Sequence, residues 1–128
     1  MEKSEFNELS SVIFESALEV HKRMGPGLLE AVYHSCMLKE LQIREVSYKS
    51  EVAVPLKYKD QDLNKNYIID ILVEDEIILE LKTVESILPV HEAQIISYLK
   101  LADKKLGFLI NFNESLLKFG FHRFVNGF

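Results

Sequence analysis

Hydrophobic residues recur at every third or fourth position in three separate stretches of the chain. This spacing predicts helices over residues 7–24, 28–43 and 90–103, each with one apolar stripe. A Gly-Pro-Gly turn at residues 25–27 separates the first two helices, because two glycines and a proline do not extend a helix. The chain therefore begins with a pair of helices and returns to a helix after its central section.

Between and after these helices, apolar residues alternate with polar ones or form short continuous runs. Alternation over residues 46–58 predicts a strand, and Pro55 within it is typical of an edge or bulged strand. Residues 67–83 predict a two-stranded hairpin. Runs over residues 106–112 and 117–125 predict two further strands, the first reached by a crossover helix. The predicted fold is α/β: a three-strand antiparallel meander plus a crossover helix and further strands, in the order α-α-β-β-β-α-β-β.

Three charged residues lie within the predicted hairpin, namely Asp70, Glu80 and Lys82. Successive side chains of a strand point to opposite faces, so Glu80 and Lys82 share a face. Charged groups on a half-buried sheet face are costly unless they are paired or bind a metal. Two interpretations follow from these residues alone. One is a salt bridge of Lys82 with Glu80 or Asp70 on a solvated sheet, and the other is a functional site.

The length of the hairpin loop decides whether Asp70 joins the other two charges. A three-residue loop at residues 74–76 places Val73 opposite Ile77 and Asp70 opposite Glu80, whereas a two-residue loop moves Asp70 to the other face. The longer loop is favoured because it leaves one face entirely apolar. That face carries Ile69, Ile71, Val73, Ile77, Leu79 and Leu81, and the opposite face carries Asp70, Leu72, Ile78, Glu80 and Lys82.

The predicted helices supply further candidate residues. Glu30 lies in the first turn of the second helix, where an acid is also favourable simply because it faces the positive end of the helix dipole. Gln94 and Tyr98 lie along one stripe of the third helix. Carboxylate oxygens such as those of Asp70 and Glu80 suit a hard divalent ion, Mg²⁺ or Mn²⁺, better than zinc.

Composition restricts the class of protein. A chain of 128 residues fits one domain, residues 1–128, and no apolar run approaches the ~20 residues that a membrane span needs. The polar N-terminus does not resemble a signal peptide, and the single cysteine, Cys36, excludes an internal disulfide, so a cytoplasmic protein is expected. The net charge of −5 argues against a nucleic-acid coat protein but not against an enzyme that contacts a few phosphates.

Four motifs in a fixed order resemble those of a known family. They are Gly27-Leu-Leu-Glu30-Ala-Val-Tyr33, Asp70, Glu80-Leu81-Lys82 and Gln94-x-x-x-Tyr98. The first looks like the motif that gives the GxxExxY proteins their name. The other three resemble the signature of the PD-(D/E)XK nuclease-like superfamily in its RecB-like branch. The resemblance covers nearly the whole chain after the first helix, with Ile69 rather than proline before Asp70.

This resemblance implies a restriction-endonuclease-like core and roles for the candidate residues. It implies Mg²⁺, or Mn²⁺, bound by Asp70 and Glu80, with Glu30 as a supporting acid that also belongs to the metal site. It also places Gln94 and Tyr98 beside the active site and the substrate backbone. Tyr33 belongs to the supporting residues, although a core aromatic with a satisfied hydroxyl is the plainer interpretation of that side chain.

Two functions follow as hypotheses. The first is a nuclease that hydrolyses phosphodiester bonds in DNA by a metal-activated water, with Asp70, Glu80, Lys82 and Glu30 as catalytic residues. The second is a non-catalytic module that binds nucleic acid or protein and retains a nuclease-like fold. The acidic net charge and the small size of the chain favour the second hypothesis. Both expect a protein that acts away from membranes.

Overall fold

The computed structural model describes residues 1–128 and contains three α-helices around a five-stranded mixed sheet. The α/β fold and the predicted element order are confirmed, with a short 3-10 turn added before the last strand. The elements are α1 Lys3–Met24, α2 Glu30–Ile43, β1 Tyr48–Tyr58, β2 Gln61–Val73, β3 Ile77–Lys82, α3 Pro89–Ala102, β4 Leu106–Asn111, the 3-10 turn Leu117–Phe119 and β5 Phe121–Val125. None of the helices is both long enough and apolar enough to cross a membrane.

The strands lie in the order β1-β2-β3-β4-β5. β3 and β4 pair in parallel, whereas the other three pairs are antiparallel. A parallel pair needs a crossover connection, and α3 supplies it, as predicted. β1 is an edge strand whose register shifts between Pro55 and Lys57. Both features predicted from Pro55, the edge and the bulge, are therefore confirmed.

The hairpin between β2 and β3 has the predicted three-residue loop. Val73 pairs with Ile77, and Glu74 and Asp75 between them adopt left-handed backbone with φ of 52° and 58°. Asp75 tolerates this conformation because its side chain is short and polar, and the loop fixes the register of the strands. The position of Asp70 beside Glu80 follows from that register.

Buried apolar side chains form two clusters. The larger contains 17 residues and joins α1 and α2 to the sheet through side chains such as Ile13, Tyr33 and Leu79. The smaller joins α3 to the sheet. Its five members are Tyr67, Ile69, Leu72, Ile78 and Leu99. The sheet therefore has a helix-pair side and an α3 side, and α3 contributes a single residue to the smaller cluster.

The predicted position of Ile69 is wrong. Ile69 packs with the α3-side cluster, whereas Ile71 and Val73 pack with the larger cluster. Alternation along β2 therefore reverses at Asp70. The neighbouring strand explains the reversal, because Glu51, which lies between the partners of Ile69 and Ile71, has left-handed backbone with φ of 54°. Such a residue kinks the strand pair and re-aims the side chains beyond it.

Three elements begin more than two residues away from the predicted position, and one of them is β2, which begins at Gln61 rather than at residue 67. α1 begins at Lys3 rather than at residue 7, because Phe6 is buried with 2% exposure and extends the apolar stripe by about one turn. The last strand begins at Phe121, after the 3-10 turn, rather than at residue 117. Gly120 between them is required, since a Cβ there would lie 2.2 Å from the backbone oxygen of Asn111.

Candidate active site

Two carboxylates meet at the open end of the β2–β3 hairpin. Asp70 is half-buried, and its Oδ2 accepts a hydrogen bond of 2.8 Å from the backbone N–H of Leu81. Glu80, the residue before Leu81, is only 5% exposed. Its Oε1 is buried and has no hydrogen-bond partner, which is costly for a carboxyl oxygen and therefore rare in native proteins.

Burial and the neighbouring Asp70 strongly perturb the carboxyl group of Glu80. Burial raises the pKa of Glu80 to about 9, and the negative charge of Asp70 adds to the rise. The ammonium of Lys82 opposes it but does not offset the burial. Without a bound cation, the carboxyl group of Glu80 is therefore protonated at neutral pH. A carboxyl group whose pKa is raised this far by burial and a specific charged neighbour is characteristic of functional sites.

Lys82 ends β3 on the same side as Glu80. Its charge lowers the pKa of Glu80 and of Glu30, so its ammonium lies near both carboxyl groups. None of the five salt bridges in the structure includes Lys82. The plain interpretation, in which Lys82 neutralises Glu80 or Asp70 in a salt bridge, is therefore not what the structure contains.

Glu30 approaches this pair from α2. It is the first residue of the helix, and the residue as a whole is exposed, although its carboxyl group is partly buried. Burial of its carboxyl group raises the pKa of Glu30, and the negative charge of Asp70 adds to that rise, whereas Lys82 lowers it. The structure thus brings Glu30 to the side of the site occupied by Asp70 and Lys82.

Two tyrosines and a glutamine line the α3 side of the site. The rings of Tyr67 and Tyr98 stack with centroids 3.8 Å apart, and the hydroxyl of Tyr67 donates to the backbone oxygen of Tyr98 at 2.9 Å. Burial raises the pKa of Tyr98, and the charges of Glu80 and Asp70 add to that rise. Gln94 lies one turn before Tyr98, and its amide lies beside the hydroxyl of Tyr98.

Tyr33 holds the turn that precedes Glu30. It is fully buried, and its ring stacks on Phe112 with centroids 4.6 Å apart. Its hydroxyl donates to the backbone oxygen of Gly25 and accepts from the N–H of Leu28 at 3.2 Å. The hydroxyl is thus fully used inside the protein. Tyr33 therefore supports the turn before Glu30 and makes no hydrogen bond to the carboxylates.

A family model for the PD-(D/E)XK nuclease superfamily matches residues 7–124. The chain belongs to this superfamily. A search of curated proteins and a search of solved structures gave no match. The superfamily predicted from the motifs is confirmed, and the observed element order is consistent with its restriction-endonuclease-like fold. Membership indicates a nuclease-like function and a nucleic-acid substrate.

Nucleases of this PD-(D/E)XK superfamily typically use divalent metal ions, and the site has donors that suit one. Asp70 and Glu80 offer adjacent carboxyl groups, and the unpaired Oε1 of Glu80 is a buried oxygen without a partner. No three His, Cys, Asp or Glu side chains are placed to hold one ion. Mg²⁺ does not require three, since it is usually bound by one or two carboxylates and keeps several waters. The pair therefore fits Mg²⁺ or Mn²⁺.

Asn111 supports the chain segment that follows Lys82, and the sequence interpretation missed it. It is fully buried at the end of β4, where it pairs with Lys82 of β3. Its Oδ1 accepts from the N–H of Val84 at 3.1 Å and of Asn113 at 3.2 Å, and its Nδ2 donates to the oxygen of Val84 at 2.9 Å. A single amide within an apolar strand was the available signal, because a buried polar side chain needs partners.

Tyr67 was also missed, and no signal in the sequence marks it, since one more aromatic residue beside an apolar run is ordinary.

The two histidines near the site have peripheral positions. His34 Nε2 lies 2.9 Å from the hydroxyl of Ser50, and His91 Nδ1 accepts from the N–H of Leu88 at the start of α3. Neither histidine contacts Asp70 or Glu80 by a hydrogen bond.

Proposed function

We propose that this PD-(D/E)XK protein is a metal-dependent nuclease that hydrolyses phosphodiester bonds in DNA. The observation that carries the proposal is the buried, unpaired Oε1 of Glu80 beside the carboxylate of Asp70. A stable protein has little reason to keep such an arrangement, because each uncompensated buried charge or polar group lowers stability. A cation bound by both carboxylates would remove that cost and give the arrangement a use.

Asp70 and Glu80 would hold the metal ion, with Glu30 as the supporting acid. When bound, a divalent cation lowers the pKa of a water molecule and neutralises charge on a phosphoryl oxygen. The N–H of Leu81 donates to Oδ2 of Asp70 and so fixes the orientation of that carboxylate. The position of the acceptor oxygens is thus set before substrate binds, as electrostatic catalysis requires.

Lys82 would act on the reacting groups directly. Its ammonium has no carboxylate partner, so its three N–H donors stay available. It can hold the attacking water or stabilise the charge that develops on the phosphoryl oxygens in the transition state. Gln94 and Tyr98 would orient the substrate backbone from the α3 side, where burial raises the pKa of the Tyr98 hydroxyl.

Within the superfamily, we assign the chain to the GxxExxY group and the RecB-like branch. The motif from Gly27 to Tyr33 supports the first assignment. The spacing of Gln94 and Tyr98, which brings both to one side of α3, supports the second.

Cleavage of labelled DNA by the purified protein tests the proposal. With Mg²⁺ or Mn²⁺ we expect cleavage that falls at least about 100-fold in each of Asp70→Asn, Glu80→Gln and Lys82→Ala, the size of loss seen when a group that stabilises the transition state is removed. Glu8→Gln on α1 and Lys65→Ala on β2 are matched controls with the same changes of charge at exposed positions. Cleavage that persists unchanged in all three site variants would contradict the assignment.

Calorimetric titration with Mn²⁺ or Mg²⁺ separates this function from its alternative. We expect a binding isotherm in the wild type that is lost in Glu80→Gln, while thermal unfolding shows that the variant is folded. A wild type that binds neither ion and hydrolyses neither DNA nor RNA would favour the non-catalytic binding module.

A further inference from the structure

The largest groove of the molecule lies outside the carboxylate site. It has a volume of about 700 Å³ and runs between the C-terminal part of α1 and the turn at residues 115–118. Grooves of this size accommodate ligands in many proteins. None of the side chains that line it is Asp or Glu, although the chain has 20 acidic residues against 15 basic ones.

The two walls of the groove each carry a lysine. Lys22 lies on α1 and Lys118 on the 3-10 turn. An acid-free groove with a cation on both walls concentrates positive potential locally, even on a protein with a net charge of −5. A chain-like polyanion that follows the groove would contact both lysines.

The same walls expose apolar side chains. Leu18 on α1 is 43% exposed and Leu116 on the opposite wall is 52% exposed. Phe119 beside them is 57% exposed, and the ammonium of Lys118 lies 5.2 Å from its ring centroid. Alternating cations and apolar or aromatic surfaces are how proteins bind single-stranded nucleic acids, whose phosphates and bases are both accessible.

Both walls of the groove are joined through a few residues to the carboxylate site. Pro26 lines the groove four residues before Glu30, so the two lie at most about 14 Å apart. On the other wall, Ser115 lies two residues after Asn113, whose Nδ2 donates to the oxygen of Val84 at 3.4 Å, and Val84 lies two residues after Lys82. Short segments of the chain therefore join both walls of the groove to residues of the carboxylate site.

We propose that this groove binds the unpaired flank of the nucleic-acid strand whose scissile phosphate lies at the carboxylates. Lys22 and Lys118 contact its phosphates, and Leu116 with Leu18 contacts its bases. The inference rests on the proposed nuclease function, because the nucleic-acid strand is assumed to run from a scissile phosphate at the carboxylates into the groove. An acidic peptide is the less favoured occupant, since it would not explain why short segments of the chain join both walls to the carboxylate site.

The experiment measures binding of a fluorescently labelled single-stranded DNA oligonucleotide by anisotropy, in EDTA so that no cleavage occurs. For single strands, the slope of log K against log salt changes by about 0.7 per phosphate contact, so Lys22→Ala/Lys118→Ala should weaken binding and reduce the slope by about 1.4. Lys57→Ala/Lys65→Ala, which removes two exposed lysines of the β1–β2 hairpin, is the matched control and should leave the slope unchanged. Leu116→Ser should weaken binding without changing the slope.

An unchanged salt slope in Lys22→Ala/Lys118→Ala overturns the proposal. Equal affinity for a duplex and a single strand, together with no effect of Leu116→Ser, overturns it as well. The proposal is also overturned if a Glu- and Leu-rich peptide displaces the labelled oligonucleotide at a lower concentration than the unlabelled oligonucleotide does. The two proposals fail separately. Lysine-dependent binding without any cleavage in Mg²⁺ or Mn²⁺ would refute the nuclease and retain the groove, whereas cleavage without lysine-dependent binding would do the reverse.

Discussion

At the scale of single residues, Glu80 is the group that makes the site costly for the fold. Its carboxyl is buried beside Asp70, and one of its oxygens has no partner. Functional sites frequently keep such features at the expense of stability. The surrounding β2–β3 hairpin and the N–H of Leu81 hold Asp70 in place despite the repulsion. The resulting loss of folding stability should be measurable in the protein without metal.

Glu80 should make the stability of the metal-free protein fall as pH rises. Its pKa is raised by burial from 4.5 to about 9, so between these values the folded state holds a proton that the unfolded state has lost. The contribution is fully present below pH 4.5 and is lost towards pH 9, at up to about 1.4 kcal/mol per pH unit. Glu80→Gln should flatten this dependence and raise the free energy of unfolding at pH 8.

Chemical denaturation in EDTA at several pH values measures this effect. Glu8→Gln, at an exposed position of α1, is the control and should leave the pH dependence as in the wild type. If Glu80→Gln and the wild type gave parallel curves from pH 5 to 8.5, the burial of an uncharged Glu80 would be refuted.

At the scale of elements, the end of β4 controls how the chain leaves β3 after Lys82. The buried amide of Asn111 bonds both backbone groups of Val84, and the N–H of Phe112 donates to the oxygen of Lys82 at 2.9 Å. Loss of the amide leaves buried backbone groups unpaired, at about 1–3 kcal/mol each. β4 thus anchors the segment that joins Lys82 to α3.

Asn111→Ala should therefore lower kcat for DNA cleavage while KM stays within about twofold, and it should speed amide hydrogen exchange of Thr83 and Val84. Ser16→Ala is the matched control, because Ser16 is also fully buried and its hydroxyl donates to a backbone oxygen, at 2.7 Å within α1. In a Lys82→Ala background the loss from Asn111→Ala should largely disappear, since residues that act as a unit are not additive. Equal loss of kcat in both backgrounds would show that Asn111 acts on stability alone.

The β2–β3 hairpin shows why some geometry could be predicted from the sequence. The apolar alternation and the odd loop length were sufficient to fix the register of Val73 with Ile77, and hence the proximity of Asp70 to Glu80. The placement of Ile69 was not predictable. It depends on left-handed backbone at Glu51, a residue that within a β pattern gives no signal of such a conformation.

At the scale of the whole molecule, the site depends on elements that are far apart in sequence. Motif spacing predicted the candidate acids and the residues of α3, because those motifs lie within single elements. It could not predict Tyr67, whose role arises only when β2 packs against Tyr98 of α3. Nor did it predict Asn111, since its partner Val84 is 27 residues away along the chain. Contacts between elements are what the linear pattern leaves out.

The unequal clusters on the two faces of the sheet predict that α3 is the least stable helix. α1 contributes four residues and α2 three to the larger cluster, whereas the buried residues of α3 are only Ile95 and Leu99. Few buried apolar contacts imply local opening at a free energy below that of global unfolding. Native-state hydrogen exchange should therefore give the amide of Leu99 a lower opening free energy and a weaker denaturant dependence than the amide of Leu79 in β3.

Because Gln94 and Tyr98 lie on α3, binding at the carboxylate site should slow this opening. Addition of a single-stranded oligonucleotide in Ca²⁺, which provides a divalent charge with different coordination from Mg²⁺, should reduce exchange in α3 more than in α1. The amide of Val20, buried in α1, is the reference. If Leu99 and Leu79 reported one common free energy, the sheet and α3 would unfold as a single unit, and the substrate-facing helix would not be the part of the fold that binding orders.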